Sequence, residues 1–239
     1  YNDYTIYESA LGKRKEKLEL NITKGSYQSS ILKPNFKFIN EFPNSDRFKI
    51  VKKVKILTNT LDSFKINNVD FIKIDAQGFD YEVLKGSTKA LEDAIGLEIE
   101  VEFADMYKKQ KLFGDINKAL IAKNFLFVDF LSLQKWQRNS SEGGQCVFGN
   151  ALYLKRFQNI KNINREKALK YITISLLYNK FDMAIEAVKN YKFKDSEKKM
   201  INRKIKFLER KFSKSKLIKK IANAIIKLFD IDQDLYLFQ

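Results

Sequence analysis

Apolar residues recur along the chain with two different periods. At Lys17-Leu18-Glu19-Leu20-Asn21-Ile22 they alternate strictly, which predicts a strand with one wet face. Val51 to Leu57 mixes lysines with Val and Ile and reads the same way. Tyr4 to Ser9 is short and rich in β-formers, so it reads as a strand end, and residues 24–35 carry the Gly, Ser and Pro of a loop. Val69 to Asp75 is an apolar strand that finishes on a carboxylate. Phe79 to Lys85 has the spacing of a short helix, with Gly86 placed to stop it. Ile95 to Phe103 alternates again, apolar at 95, 97, 99, 101 and 103. A helix over 114–123 and strands over 125–130 and 147–154 follow. Strands alternating with helices predict an α/β sheet.

Beyond residue 157 only the helical period remains. Helices are expected over 165–179 and 181–191, where Ala168, Ile172 and Leu176 share one face and Ala184, Ala187 and Val188 another. Lys and Arg dominate 198–220, and Leu217, Ile218, Ile221, Ala224, Ile225 and Leu228 form an apolar stripe. The expected division is an α/β part over 1–157 and a basic α-helical extension over 158–239.

Composition narrows the chemistry. The chain has no histidine and one cysteine, Cys146. That excludes Ser-His-Asp and Cys-His catalysis, imidazole-bound zinc and a four-thiolate zinc site. Chemistry must rest on carboxylates, lysines, tyrosines, amides and the backbone. No intrachain disulfide can form, and a cytoplasmic setting fits. No apolar run reaches the roughly 18 residues of a membrane span. The net charge of +16 favours anionic partners, but Lys far outnumbers Arg, and Arg is the better bidentate reader of phosphates and bases.

The densest chemistry lies in Lys73-Ile74-Asp75-Ala76-Gln77-Gly78-Phe79-Asp80-Tyr81-Glu82-Val83-Leu84-Lys85-Gly86. This is a strand, a carboxylate at its carboxyl end, a glycine turn and a helix. Ligands of open α/β sheets bind outside the carboxyl ends of strands, so Asp75 can reach one. The plainer reading is that Asp75 and Asp80 cap the helix. Glu98, Glu100 and Glu102 must share one face of their strand. Three carboxylates there are costly if dry and unpaired, so at least one is expected to meet a lysine or a wet pocket.

The segment resembles the FkbM methyltransferase signature "KIDxQGxExxVLKG", with Asp80 where Glu is commoner. Other stretches are similar to the family in order: Tyr7 to Gly12 ("xExALG"), Ser29 to Asn35 ("SSLLxPN"), Thr60 to Ser63, Glu98 to Phe103 with Met106-Tyr107, Gln110 and Leu112-Phe113, and Gly149 to Leu154. The resemblance implies a Rossmann-like class I methyltransferase sheet, with the strand of Asp75 flanked by residues 4–9 and 95–103. It implies S-adenosylmethionine as cofactor and a hydroxyl of a sugar or small metabolite as acceptor. On this reading Asp75, Gln77 and Glu100 are catalytic candidates. Ala10, Leu11, Asp75 and Gly78 approach the cofactor, while Glu102, Tyr107 and Gln110 meet the acceptor. No metal is implied.

The family's glycine-rich turn after the first strand and its acidic residue after the second have no counterpart before Tyr7. Two strand-helix-strand units, roughly 60 residues, are therefore expected upstream, and the chain alone is expected to bind the cofactor poorly. The sheet is accordingly expected to be incomplete on its N-terminal side. The basic tail suggests a second class of function: a binding module, or a non-catalytic remnant, that docks residues 198–228 on an anionic membrane surface or glycan at the inner face of the membrane. Nucleic-acid binding lacks a recognisable motif.

Overall fold

The structure is a computed structural model and describes residues 4–139 and 142–212. The apolar stripe over 217–228 and the basic residues beyond 212 lie outside the described residues. The chain forms two compact units, one over residues 7–154 and one containing 155–212 together with residues 4–6.

The first unit carries, in chain order, β1 (Ala10–Leu11), β2 (Glu16–Thr23), α1 (Phe36–Ile39), β3 (Ile50–Asn59), β4 (Phe71–Ile74), α2 (Asp80–Lys85), α3 (Thr88–Asp93), β5 (Gly96–Glu102), α4 (Phe113–Ala122), β6 (Phe125–Trp136) and β7 (Gln145–Lys155). These strands make two sheets. The first has the order β1-β3-β2, with β1 parallel and β2 antiparallel to β3. The second has the order β4-β5-β7-β6, with β4 parallel and β7 antiparallel to β5.

Here the sheet expectation needs correction. Residues 4–9 form no strand and do not flank β4; the extended pairing begins only at Ala10, in the other sheet. The β-formers of that segment are not used for pairing. Tyr4 and Ile6 are 74% and 72% exposed, and the Tyr7 ring packs on Phe64 with centroids 4.4 Å apart. Among the described residues β4 is therefore an edge strand of a four-stranded sheet.

β5 is buried along its whole length. Its odd-numbered residues Leu97, Ile99 and Val101 enter the main core with Val83, Leu84, Leu91, Ile116 and Leu120. This explains why the sequence alternates there: one side of the strand is oil, the other carries the glutamates. A second cluster joins Ile39, Phe48, Met106, Tyr107 and Val147, with Trp136 and Phe148 packed against it. β6 runs to Trp136, past the expected end at Phe130, and lies beside β7 in the sheet. Trp136 sits among Phe38, Phe42 and Phe48 with the Arg47 guanidinium 4.8 Å from its ring, as a packing residue.

The second unit holds α5 (Phe157–Ile160), α6 (Arg165–Leu177), α7 (Phe181–Asn190) and α8 (Asp195–Phe212). Asn164 caps α6 by accepting from the Lys167 N–H at 2.8 Å. Ala168, Ile172 and Leu176 are buried on α6, and Ala184, Ala187 and Val188 on α7, so the two expected stripes meet in one helical core. On α8, Ile201, Ile205 and Leu208 are buried while Met200 and Phe207 are exposed. No helix among the described residues is long and apolar enough to cross a membrane.

Candidate active site

A cleft of about 400 Å³ opens at the carboxyl end of β4. That volume lies in the range of small-molecule sites. One wall comes from the first sheet: Ala10 and Leu11 of β1, Leu20 of β2 and Ile56 of β3. The opposite wall runs from β4 through the turn into α2: Lys73, Asp75, Gln77, Phe79 and Val83, and Ser29 and Ser30 also line the cleft. The lining is largely apolar, with a few polar groups gathered at one end.

That polar end is shaped by an unusual turn. Gln77 has φ of 49° and Gly78 φ of 83°, so two successive residues take left-handed backbone. Such a conformation is strained for Gln and open to Gly. A side chain at 78 would also strike the Tyr107 ring, whose Cδ2 lies 2.8 Å from where a Cβ would stand. Asp80 holds the turn. Its Oδ1 accepts from the Ala76 N–H at 2.8 Å and its Oδ2 from the Gly78 N–H at 3.0 Å. Asp80 thus satisfies the turn preceding α2, and the N-cap position of α2 falls on Phe79, without a side-chain hydrogen bond. Ser30 Oγ donates to the Gln77 carbonyl at 2.7 Å, fastening the 29–35 loop over the same turn. Asn21 fixes that loop from below through its Nδ2, which faces the carbonyls of Ser30, Ile31 and Leu32 at 3.1–3.3 Å.

The turn aims the Gln77 amide at two carboxylates. Its Nε2 donates to Asp75 Oδ1 at 2.9 Å and to Glu100 Oε2 at 3.2 Å. Asp75 is exposed, whereas Glu100 is 6% and Glu102 0% exposed. Burial, then the charges of Asp75 and Asp80, push the Glu100 carboxyl up to about 8. Burial, then the charges of Asp80 and Glu100, push Glu102 up to about 9. Burial also raises Asp80, to about 6, against the pull of its backbone donors. Glu98, the third glutamate of β5, lies 3.3 Å from Lys73 Nζ, the lysine partner that the strand pattern called for.

The structure brings together Ala10, Leu11, Asp75 and Gln77 around one cleft, with Glu100 attached through Gln77. Gly78 lies within the turn, against Tyr107, and does not line the cleft. Glu102, Tyr107 and Gln110 do not line the cleft. The Tyr107 hydroxyl donates to the Gln28 carbonyl at 3.0 Å, and Gln110 Oε1 accepts from the Tyr107 N–H, so both order the loop after β5. Sequence reasoning missed Leu20 and Ile56 as wall residues and Ser30 as a clasp. The Ser29 to Asn35 segment was the one available signal for the clasp.

The Methyltransferase FkbM domain family matches residues 2–127, just over half of the chain. The chain belongs to this family. The match embraces the cleft, the strained turn and all of β5, while the closing strand at Gly149 to Leu154 lies beyond it. No curated protein and no solved structure matches the chain. Membership in the FkbM methyltransferases makes methyl transfer the general chemistry of this domain.

Proposed function

We propose that this FkbM domain carries out S-adenosylmethionine-dependent methylation of a hydroxyl on a sugar or small metabolite, on a Rossmann-like sheet. The observation that carries the reading is the placement of Asp75 and Gln77 in one cleft with Ala10 and Leu11, at the carboxyl end of a strand paired in parallel with its neighbour. The residues fit the cofactor: apolar Leu11, Leu20 and Ile56 suit a nucleoside and thioether, and the acidic end suits a cationic sulfonium. When bound, S-adenosylmethionine supplies a methyl group bonded to a positively charged sulfur.

The chain's own residues position and deprotonate the acceptor. Gln77 occupies Oδ1 of Asp75 and so fixes the carboxylate plane. Oδ2 is then the oxygen that takes the acceptor's hydroxyl proton as the new carbon–oxygen bond forms. Ala10 and Leu11 sit across the cleft, where they hold the cofactor against the acceptor and shed water from it.

Asp75→Asn in the full-length protein tests this reading. Methyl transfer to a hydroxyl-bearing acceptor, followed with labelled cofactor, should fall about 10²–10⁴-fold. Cofactor affinity by calorimetry should fall far less than turnover, by the loss of one carboxylate facing the sulfonium. Undiminished turnover by the variant would remove Asp75 from the reaction.

A further inference from the structure

Behind the Gln77 amide lies a group of atoms that methyl transfer does not use. One carboxylate oxygen each from Asp80, Glu100 and Glu102 falls within 4.8 Å of the others, and all three residues are buried. Asp80 spends one acceptor position of each oxygen on the turn, and Glu100 spends one on Gln77. A carboxylate offers about four acceptor positions, so each retains capacity for a further partner. Glu102 is the telling member. It is fully buried, and beyond the field of its own backbone amide neither of its oxygens finds a hydrogen-bond donor. Buried carboxylates in proteins are paired, protonated or bound to metal. No lysine or arginine forms an ion pair with any of the three among the described residues; the nearby Lys73 Nζ is engaged by Glu98 at 3.3 Å.

We infer that Asp80, Glu100 and Glu102 form a binding site for one divalent cation of the hard, oxygen-seeking class. The donors are all carboxylate oxygens, which suit Ca²⁺, Mn²⁺ or Mg²⁺ and not the thiolate- or imidazole-seeking metals. Calcium–oxygen bonds of about 2.3–2.6 Å place opposite ligands about 4.6–5.2 Å apart, whereas Mg²⁺ draws them to about 4.2 Å. Oxygens within 4.8 Å of one another are spaced closely enough to share one such ion. Magnesium also tends to keep its waters and to take only one or two carboxylates. Calcium is therefore the preferred ion, with Mn²⁺ next. Through Glu100 the ion would be one hydrogen bond from Gln77 and two from Asp75, a positioning role. The inference is independent of the methyl-transfer reading, and its test reads binding.

The full chain, stripped with chelator, is titrated with CaCl₂, MnCl₂ and MgCl₂ by calorimetry and thermal unfolding. One Ca²⁺ per chain is expected, with a rise in Tm of about 5 °C or more at a hundredfold excess over Kd. Glu102→Gln and Glu100→Gln should each weaken Ca²⁺ at least about tenfold, while Glu19→Gln, on the exposed part of β2, should leave it unchanged. Absence of saturable Ca²⁺ and Mn²⁺ binding overturns the site, as does an undiminished response in both β5 variants. Should either variant fail to fold, Tb³⁺ luminescence of the unaltered chain decides. A single tyrosine-sensitised ion displaced by Ca²⁺ supports the site, and no sensitised, displaceable ion refutes it.

Discussion

The two faces of β5 are built from alternate residues of one strand, yet they are stabilised by opposite means. Leu97, Ile99 and Val101 need only neighbours of the right volume, and the helices supply them. Glu98, Glu100 and Glu102 each need a particular chemical partner, and provision declines along the strand. Glu98 has an ammonium 3.3 Å away, Glu100 has a shared amide, and Glu102 has no donor beyond its own backbone. Packing is interchangeable and collective, whereas polar partners are specific and individual. The apolar side accordingly serves the fold, and the acidic side is where this domain can hold protons or ions.

Perturbing both sides sharpens the contrast. The largest cost is expected for Ile99→Ala, about 2–5 kcal/mol by chemical denaturation, since it opens a cavity in the main core. Next comes a pH effect from the acidic side, measured in chelator. Glu102 has its folded pKa raised to about 9, so its contribution is intact below the ordinary carboxylate range. That contribution is lost as pH rises from there through about 9, on the order of a few kcal/mol. Glu102→Gln should flatten the decline. A wild-type stability that instead rises between pH 5 and 9 would contradict the burial of this carboxyl. Gly78→Ala should cost about 1–3 kcal/mol, because it pairs a left-handed backbone with a clash on Tyr107. Its thermal midpoint, compared with that of Ala76→Gly, isolates the turn. The smallest change is expected for Lys73→Met, about 1 kcal/mol: the ammonium is exposed, but its loss takes a partner from the buried Glu98 carboxyl.

The same contrast governs what could be read in advance. The alternation at 95–103 betrayed β5 and the common face of its glutamates because strand geometry is periodic in sequence. The alternation at 17–22 did the same for β2. How each glutamate is paired was not legible, because its partners come from other segments: Lys73 from the adjacent strand, Gln77 from a turn whose left-handed backbone no pattern announces. Asp80 looked like a helix cap, and only the folded turn shows it facing backwards to Ala76 and Gly78. Residues 4–9 misled in the opposite sense. Tyr, Ile and Tyr favour strands where a sheet edge receives them, and here the ladder begins only at Ala10. The cleft had one legible half, the signature-bearing end of β4. The half formed by Leu20 and Ile56 arises from the meeting of two sheets, which local periodicity does not encode.

That the cleft draws its walls from two separate sheets divides ownership of shape from ownership of reactivity. The antiparallel pair of β2 and β3 can exchange Leu20 or Ile56 for bulkier or smaller residues, and so retune the grip of the cleft's apolar end, without touching the aspartate and glutamine opposite. A domain arranged in this way can adjust how tightly it holds what it binds while keeping one set of working parts.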